Sequence, residues 1–319
     1  MIKVVAISNS DAAFGYEKEV FSRTEGVEFK VIDAHDEAAL TTMLKDANVI
    51  LFTAAKLNAK VIDSLDSCKL IMRYGIGYDN VDTERARERG IYVCNAPNYG
   101  VVDVAEHAIM LMMSASKRVI RMNDMVRENN WDISNIGASS RLSDKTVGFV
   151  GFGKIARAVC ERTNAFRMTP VVYDPYVTDE VLSEYGARKV SLDELLALSD
   201  FITLHLPLME STRHMFDMSL FKKMKPSAIL INTSRGAIVN EKDLIDALEA
   251  GYLGGVGLDV FEDESGKLDP RMLTVRNAVL TPHVAWNTAE ATVALHKEVT
   301  ENVLRYVRGE RPESIVNKM

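Results

Sequence analysis

The sequence has 319 residues and is 47% hydrophobic, which is enough for two domains that each bury a core. Its 38 basic and 45 acidic residues give a net charge of −7, which argues against a nucleic-acid-binding surface. The densest apolar run, AIMLMMSA, is much shorter than the ~20 residues that span a bilayer, so we predict no membrane segment. The start MIKVVAIS lacks a basic leader, and the three cysteines form no C-x-x-C pair. These features predict a cytoplasmic location.

The first hundred residues alternate short apolar runs with amphipathic segments such as DEAALTTMLKDA and DTERARERG. The apolar runs are KVVAIS, EFKVID, NVILFT, KLIMRYG and IYVCNAP. Parallel strands need crossover helices that cover the faces of the sheet. The alternation therefore predicts an α/β domain with a doubly wound parallel sheet.

Residues 101–129 contain neither Gly nor Pro and show apolar residues at helical spacing. We predict one long helix here. It contains five methionines, at positions 110, 112, 113, 122 and 125. This composition favours a buried helix at a domain or subunit interface, and a Met-lined ligand groove is the alternative.

A second alternating series begins at KTVGFVGFG and predicts a second doubly wound domain. Its further strands are TPVVYD, DFITLHLP, SAILINTS, GVGLDV and NAVLTPH. The final pattern, TAEATVALHKEVTENVLRYVRGE, predicts one helix that ends near Gly309. A C-terminal helix of this length is able to pack against the first domain, which would make that domain discontinuous in sequence.

The stretch TVGFVGFGKIARAV has a G-x-G-x-x-A pattern between a strand and a helix, formed by Gly151, Gly153 and Ala156. Gly151 permits a tight turn, Gly153 permits close approach of a pyrophosphate, and a small Ala156 permits close helix–strand packing. Asp174 ends the next strand, where a carboxylate can bind ribose hydroxyls and repel a 2′-phosphate. The pattern predicts a dinucleotide site that prefers NAD to NADP, and a loop-capping role for Asp174 is the alternative.

Further polar residues lie at strand ends of the second domain, where the carboxyl ends of parallel strands converge on a ligand crevice. They are His205, Pro207, Thr233, Ser234, Arg235, the acids of GLDVFEDES, His283 and Trp286.

The ordered set of segments is similar to the NAD-dependent D-isomer-specific 2-hydroxyacid dehydrogenases over essentially the whole chain. The matching segments are RYGIGYDNVD, CNAP, VGFVGFGKIA, VVYDP, LHLPL, INTSRGAIVN, LIDALEAG, GLDVFEDE and LTPH. The resemblance implies two Rossmann-like doubly wound domains, one flavodoxin-like and one NAD-binding, with an active-site cleft between them. It places a substrate-binding domain at 1–98 plus 289–319 and an NAD-binding domain at 99–288. It also implies a homodimer formed through the 101–129 helix.

The chemistry that the resemblance implies is the reduction of a small 2-keto acid to a D-2-hydroxy acid, and the reverse reaction. Arg235 is a fixed cationic fork suited to bind the substrate carboxylate and to polarise the carbonyl. His283 is suited to donate the proton, since imidazole titrates near neutral pH. Glu264 matches the family's glutamate that orients the histidine and favours its protonated form. Glu262, two residues earlier, is the competitor for this role.

The resemblance also implies contacts for residues outside this catalytic set. The cofactor contacts it implies are Gly151, Gly153, Lys154, Ile155, Asp174, His205, Pro207, Thr212, Thr233, Ser234, Arg235, Asp259 and His283. Gly75, Ile76 and Gly77 resemble the family's backbone cradle for the substrate carboxylate, and Tyr74 and Trp286 are expected to line the substrate pocket. Asp259 resembles the contact to the nicotinamide carboxamide. No metal is expected.

Several residues keep a second interpretation. Arg235 is also compatible with a surface ion pair, His283 and His205 with packing, and Tyr74 with the core. His107 is expected to be structural, and His35, His214 and His296 have no assigned role. Glu262, Asp263 and Asp269 are expected to be solvated loop residues.

Two departures from the family pattern bear on the site. Ser265 stands where the family commonly has proline after the glutamate, which leaves that loop less constrained. Trp286 in HVAW resembles the branch that includes the C-terminal-binding-protein corepressors. An NAD(H)-sensing, corepressor-like binding protein with little turnover is therefore an alternative function, as is D-3-phosphoglycerate dehydrogenase specifically. A formate-type dehydrogenase is disfavoured, because those members have Gln in place of Glu264.

Overall fold

The computed structural model describes residues 1–34, 36–275 and 277–319. The described residues form two compact units, unit 1 (Met1–Gly100 with Thr288–Met319) and unit 2 (Val101–Asn287). His35 lies outside the described residues. Within the described part of the chain, no helix is long and apolar enough to cross a membrane.

Unit 1 is built on a five-stranded parallel sheet with the order β2-β1-β3-β4-β5. Its strands are β1 (Ile2–Ile7), β2 (Val27–Ile32), β3 (Val49–Phe52), β4 (Leu70–Arg73) and β5 (Tyr92–Cys94). Its helices are α1 (Gly15–Ser22), α2 (Glu37–Met43), α3 (Ala59–Asp63), α4 (Thr83–Glu88) and α12 (Ala289–Val307), with a short 3-10 helix at Asp11–Phe14.

Helices cover both faces of the unit 1 sheet, which explains why its central strands are apolar on both faces. All four residues of β3 are buried. Leu40 of α2 and Val61 of α3 belong to the core on one face, and Phe21 of α1 and Val299 of α12 belong to the core on the other. The predicted C-terminal helix is confirmed, and Gly309, with φ +76°, follows its end.

Unit 2 is built on a seven-stranded parallel sheet with the order β12-β11-β10-β9-β6-β7-β8. Its strands are β6 (Thr146–Val150), β7 (Thr169–Tyr173), β8 (Arg188–Lys189), β9 (Phe201–Leu204), β10 (Ile229–Asn232), β11 (Gly255–Leu258) and β12 (Ala278–Leu280). Its helices are α5 (Val101–Lys117), α6 (Val119–Arg127), α7 (Lys154–Ala165), α8 (Asp179–Glu184), α9 (Leu192–Leu198), α10 (Met218–Phe221) and α11 (Glu241–Glu249). Short 3-10 helices lie at Ile133–Asn135, Gly236–Ile238 and Met272–Thr274.

The predicted strands of both series are confirmed, and β8 is an additional one. Both residues of β8 are exposed and basic, so the strand carries no apolar signal. It pairs with β7 at the edge of the sheet. An edge strand of two charged residues is a usual way to prevent further strand pairing.

The prediction of one helix over 101–129 is wrong, because Arg118 adopts a left-handed conformation with φ +54° and separates α5 from α6. Tertiary hydrogen bonds hold this break. Ser116 Oγ and Lys117 Nζ donate to the Ser140 carbonyl at 3.1 and 2.6 Å, and Arg118 Nη1 donates to the Ile136 carbonyl. Without Gly or Pro in the segment, the local sequence carries no signal for such a break.

The parallel order brings the carboxyl ends of β6, β9, β10, β11 and β12 to one edge of the unit 2 sheet. The loops at that edge carry most of the predicted functional residues of this unit.

Candidate active site

The turn after β6, called the glycine turn, is formed by Gly151 and Gly153. Gly151 has φ +85°, and a Cβ atom there would lie 2.6 Å from the His205 carbonyl oxygen. Gly153 is the N-cap of α7, and a Cβ atom there would have nothing within 4 Å. Ala156 is fully buried against the sheet. The turn therefore leaves open space at the N-terminus of a helix, where first-turn N–H groups attract an anion.

Asp174 at the end of β7 is half-buried and binds this turn. Its Oδ2 accepts a hydrogen bond from Phe152 N at 2.8 Å, and its Oδ1 accepts from Tyr176 N at 2.7 Å and Val177 N at 3.2 Å. The carboxylate thus has the loop-capping contacts that formed the alternative interpretation. It also keeps a negative charge beside the glycine turn.

Asn232 shapes the loop after β10. This residue is 1% exposed, and its Oδ1 accepts from Ser234 N at 3.0 Å and Ser234 Oγ at 2.7 Å. Its Nδ2 donates to the Arg235 carbonyl at 2.9 Å. The Oγ1 atom of Thr233 is buried without a hydrogen-bond partner among the described residues. A buried hydroxyl of this kind is unusual in the absence of a ligand.

Arg235 lies half-buried in the same loop, and its Nη1 donates to the Ser234 carbonyl at 2.7 Å. The next residue, Gly236, is buried, and a Cβ atom there would overlap the Phe261 backbone. The loop that carries Arg235 is therefore in direct contact with the loop that carries the acidic residues 262–264.

Asp259 is fully buried and holds the loop after β12. Its carboxylate accepts from Thr281 Oγ1 at 2.6 Å, Val284 N at 2.9 Å and Ala285 N at 2.8 Å, and its carbonyl accepts from His283 N at 2.8 Å. These bonds surround His283, which has a left-handed backbone with φ +53°. A contact of Asp259 with a nicotinamide remains a prediction.

His107 on α5 contacts both Asp259 and Thr281. Its Nε2 lies 2.9 Å from Thr281 Oγ1 and 3.5 Å from Asp259 Oδ1. Burial lowers the pKa of His107, and the charge of Asp259 only partly offsets this effect. The structural role expected for this residue agrees with these contacts.

His283 and Glu264 form a hydrogen-bonded pair, with 2.7 Å between Nδ1 and Oε2. The two side chains are 39% and 41% exposed. Burial raises the pKa of Glu264, but the hydrogen bond and charge of His283, the Phe261 N–H and the charge of Arg235 outweigh this and lower the pKa below its ordinary value. The lowered pKa makes Glu264 an ionised acceptor at hydrogen-bonding distance from His283 Nδ1.

The competitor Glu262 has other partners. Its Oε1 accepts from Glu241 N at 2.7 Å, its Oε2 lies 2.9 Å from His214 Nε2, and its own N–H donates to Glu241 Oε2 at 3.1 Å. His214 N in turn donates to the Ala237 carbonyl at 2.8 Å. Glu262 and His214 therefore connect three loops of the site, roles that the sequence patterns did not indicate.

The loop after Glu264 has Ser265 where the family commonly has proline, but local hydrogen bonds hold it. Ser265 N donates to Asp263 Oδ1 at 2.9 Å, and Asp269 accepts from Arg271 N at 2.9 Å. Glu262 and Asp263 are exposed loop residues and Asp269 is half-buried, and each of the three also accepts a defined hydrogen bond.

His205, Pro207 and Thr212 lie in the loop after β9. The His205 ring stacks on Phe149 with 6.3 Å between centroids, and its Nε2 lies 2.9 Å from Thr203 Oγ1. Burial lowers the pKa of His205 to about 3, so the ring is neutral at pH 7. Thr212 Oγ1 donates to the Pro207 carbonyl at 2.7 Å. These contacts favour packing for His205, and cofactor contacts of this loop remain predictions.

The predicted carboxylate cradle lies in unit 1, after β4. Gly75 has φ +135°, and its carbonyl accepts from Ala96 N at 3.0 Å. The Ile76 carbonyl accepts from Asn95 Nδ2 at 2.6 Å. The N–H groups of Ile76 and Gly77 donate to no partner within the described part of the chain. With its carbonyls bound and two amides available, this turn can accept an anion.

Tyr74 does not line a pocket as predicted. Its side chain is only 4% exposed and belongs to the core that includes Phe14 and Val299. Its hydroxyl donates to the buried carboxylate of Glu17 at 2.8 Å. The core alternative is correct, because a buried aromatic ring with a bonded hydroxyl has no surface left for a ligand.

The geometry of unit 2 fits a dinucleotide. The glycine turn leaves room at a helix N-terminus, Asp174 carries a charge at the expected strand end, and Thr233 has an unpartnered hydroxyl. Lys154 and Ile155 lie in the first turn of α7, and Trp286 follows the segment that Asp259 fixes.

Over residues 1–34, 36–275 and 277–319, no cluster of three His, Cys, Asp or Glu side chains is suited to a metal.

Comparisons with known proteins agree with this geometry. Residues 109–285 match the family model of the D-isomer specific 2-hydroxyacid dehydrogenase, NAD binding domain. The chain is 39% identical over 279 residues to a glyoxylate reductase of Thermococcus litoralis, covering 86% of this chain and 84% of that protein. A glyoxylate reductase structure from Paecilomyes thermophila has a TM-score of 0.91 at 29% identity, covering 99% of this chain and 98% of that one. The D-lactate dehydrogenase from Aquifex aeolicus, complexed with NAD and lactic acid, has a TM-score of 0.87 at 30% identity and covers 96% of each chain.

The chain therefore belongs to the D-isomer specific 2-hydroxyacid dehydrogenase family. It is an NAD-dependent oxidoreductase of the class that interconverts 2-keto acids and D-2-hydroxy acids, with the α/β fold of that family.

Proposed function

We propose that the protein reduces glyoxylate and other small 2-keto acids with NADH, using His283, Glu264 and Arg235. The observation that carries this proposal is the 2.7 Å hydrogen bond between His283 and Glu264. Arg235 supports it from a loop in contact with the backbone of Phe261, three residues before Glu264. The similarity to a glyoxylate reductase supports the choice of substrate.

The proposed chemistry follows from the side chains. NADH, when bound, supplies the hydride that adds to the carbonyl carbon. Arg235 binds the carboxylate and polarises the carbonyl, since its planar guanidinium offers parallel N–H donors. His283 transfers a proton from Nε2 to the carbonyl oxygen as the hydride adds. Glu264 accepts from Nδ1, which orients the ring so that Nε2 faces the substrate.

Further contacts belong to the same proposal. The amides of Ile76 and Gly77 are proposed to bind the substrate carboxylate, a role that their lack of other described partners supports. Lys154 and Ile155 are proposed to bind the pyrophosphate, and Thr233 to bind NADH. Trp286 is proposed to contact the substrate.

We predict that His283→Ala lowers kcat for glyoxylate reduction by about 10²–10⁴-fold, because the proton donor is lost, while the affinity for NADH is retained. Arg235→Ala is expected to lower kcat and also to raise KM for glyoxylate by about 10–100-fold, since charged hydrogen bonds are lost. Steady-state kinetics and NADH fluorescence titration measure both effects. Arg188→Ala, on the exposed edge strand β8, is the matched surface control. Near-normal turnover of either site variant would refute these roles.

The cofactor preference rests on Asp174. We predict that kcat/KM is higher with NADH than with NADPH, because this carboxylate repels a 2′-phosphate. Asp174→Asn keeps a hydrogen-bond acceptor for Phe152 N but removes the charge, and should reduce the preference by about tenfold. Asp179→Asn, at an exposed position of α8, should leave the ratio unchanged. A wild-type preference for NADPH would overturn this assignment.

We also propose a homodimer formed through α5 and α6. The exposed apolar side chains along these helices and the turn between them are Val102, Met110, Met113, Val119, Ile120 and Val126. Exposed apolar side chains grouped on two successive helices are typical of a protein interface. A cytoplasmic location is likewise a proposal, supported by three free, buried cysteines.

Sedimentation velocity tests the dimer. The wild type should sediment as a dimer, and Ile120→Glu should shift it toward the monomer, because a charge is buried without a partner. Val293→Glu, at a similarly exposed position of α12, is the control and should remain dimeric. A monomeric wild type would contradict the proposal, and so would an Ile120→Glu variant that stays dimeric.

A further inference from the structure

Unit 1 contains a buried cluster of ionisable side chains that the proposed chemistry does not use. Glu17 on α1 is 0% exposed. Its Oε1 accepts a hydrogen bond from the Tyr74 hydroxyl at 2.8 Å and from His296 Nδ1 at 2.6 Å. Thr300 Oγ1, one turn further along α12, lies 3.5 Å from the same oxygen.

The buried carboxylate is costly for folding. Its second oxygen, Oε2, is buried without a hydrogen-bond partner among the described residues. Replacing a buried ion pair by packed apolar side chains is often neutral or stabilising, so a pair of this kind is weak evidence for a role in stability. A different benefit is therefore needed to explain why the buried Glu17 is paired with the partly exposed His296.

The cluster lies next to the turn at Gly75, Ile76 and Gly77 that follows β4. Tyr74 immediately precedes Gly75, and its ring packs edge-on against Phe14 at 5.5 Å and His296 at 5.8 Å between centroids. Tyr74 N donates to the Phe52 carbonyl at 2.8 Å, which fixes the backbone at the strand end. Glu17 fixes the other end of the same residue, at the hydroxyl.

The turn at Gly75, Ile76 and Gly77 begins directly after Tyr74. Gly75 has φ +135°, a conformation that its neighbours must hold in place. Asn95 and Ala96 bind the carbonyls of Ile76 and Gly75 from one side. Tyr74 directly precedes the turn, so the bonds that fix Tyr74 also fix the position at which the turn begins.

We propose that Glu17 and His296 are positioning residues for the keto-acid subsite, acting through Tyr74 on the amides of Ile76 and Gly77. The carboxylate anchors the tyrosine hydroxyl, and the imidazole on α12 holds the carboxylate by a hydrogen bond at its Nδ1. This inference rests on the proposed function, because it takes these amides to bind the substrate carboxylate.

The test is the kinetics of glyoxylate reduction by Tyr74→Phe, Glu17→Gln and the double variant. Each single variant should raise KM for glyoxylate by about 5–50-fold, while kcat changes less than threefold and KM for NADH is unchanged. The double variant should be no worse than the more impaired single variant, since Tyr74→Phe removes and Glu17→Gln weakens the same hydrogen bond. Glu17→Gln should be milder than Glu17→Ala, because the amide oxygen still accepts from Tyr74.

Two control variants distinguish a failure of the positioning role from a failure of the proposed function. Glu19→Gln, at an exposed position of the same helix, should behave as the wild type. Gly75→Ala, which strains the turn itself, should raise KM for glyoxylate. If Gly75→Ala raises KM and Tyr74→Phe does not, the positioning role is overturned while the proposed function stands. A wild type without turnover overturns both. Tyr74→Phe preserves the shape of the core, so it decides the question even where Glu17→Gln fails to fold.

Discussion

The candidate site of unit 2 depends on one buried carboxylate, Asp259. A left-handed backbone at a residue other than glycine costs about 1–3 kcal/mol, and His283 adopts one with φ +53°. The Asp259 carboxylate accepts three hydrogen bonds from the loop around that residue, from Thr281 Oγ1, Val284 N and Ala285 N. These bonds hold the histidine in an otherwise unfavourable conformation. His107 adds a further contact from α5.

The remaining loops are fixed by reciprocal bonds between side chains and backbone. Glu262 and Glu241 each accept the N–H of the other, and Asn232 binds both sides of the turn before Arg235. Such bonds restrict the loops without filling the space in front of Glu264 and His283, which remain partly exposed. A partly exposed pair on a rigid support can exchange protons and still keep its geometry.

The sequence predicted those parts of the structure whose causes are local. The strand series was predictable because parallel strands buried on both faces are apolar throughout. The pairing of Glu264 with His283 was predicted from the resemblance. The break at Arg118 was not predictable, and the core position of Tyr74 was predicted only as the alternative to a pocket position. They depend on partners distant in sequence, namely the Ser140 carbonyl, which holds the residues just before the break, and Glu17.

The central claim is that Glu264, and not its neighbour Glu262, enables His283 to act as the proton donor in keto-acid reduction. The most direct measurement is kcat for NADH-dependent reduction of glyoxylate by the wild type, Glu264→Gln and Glu262→Gln. We predict turnover by the wild type, a loss of at least about tenfold for Glu264→Gln, and a change below threefold for Glu262→Gln. The amide in Glu262→Gln still accepts from Glu241 N, so it preserves the loop. A larger loss for Glu262→Gln than for Glu264→Gln, or a wild type that binds NADH without turnover, would contradict the account.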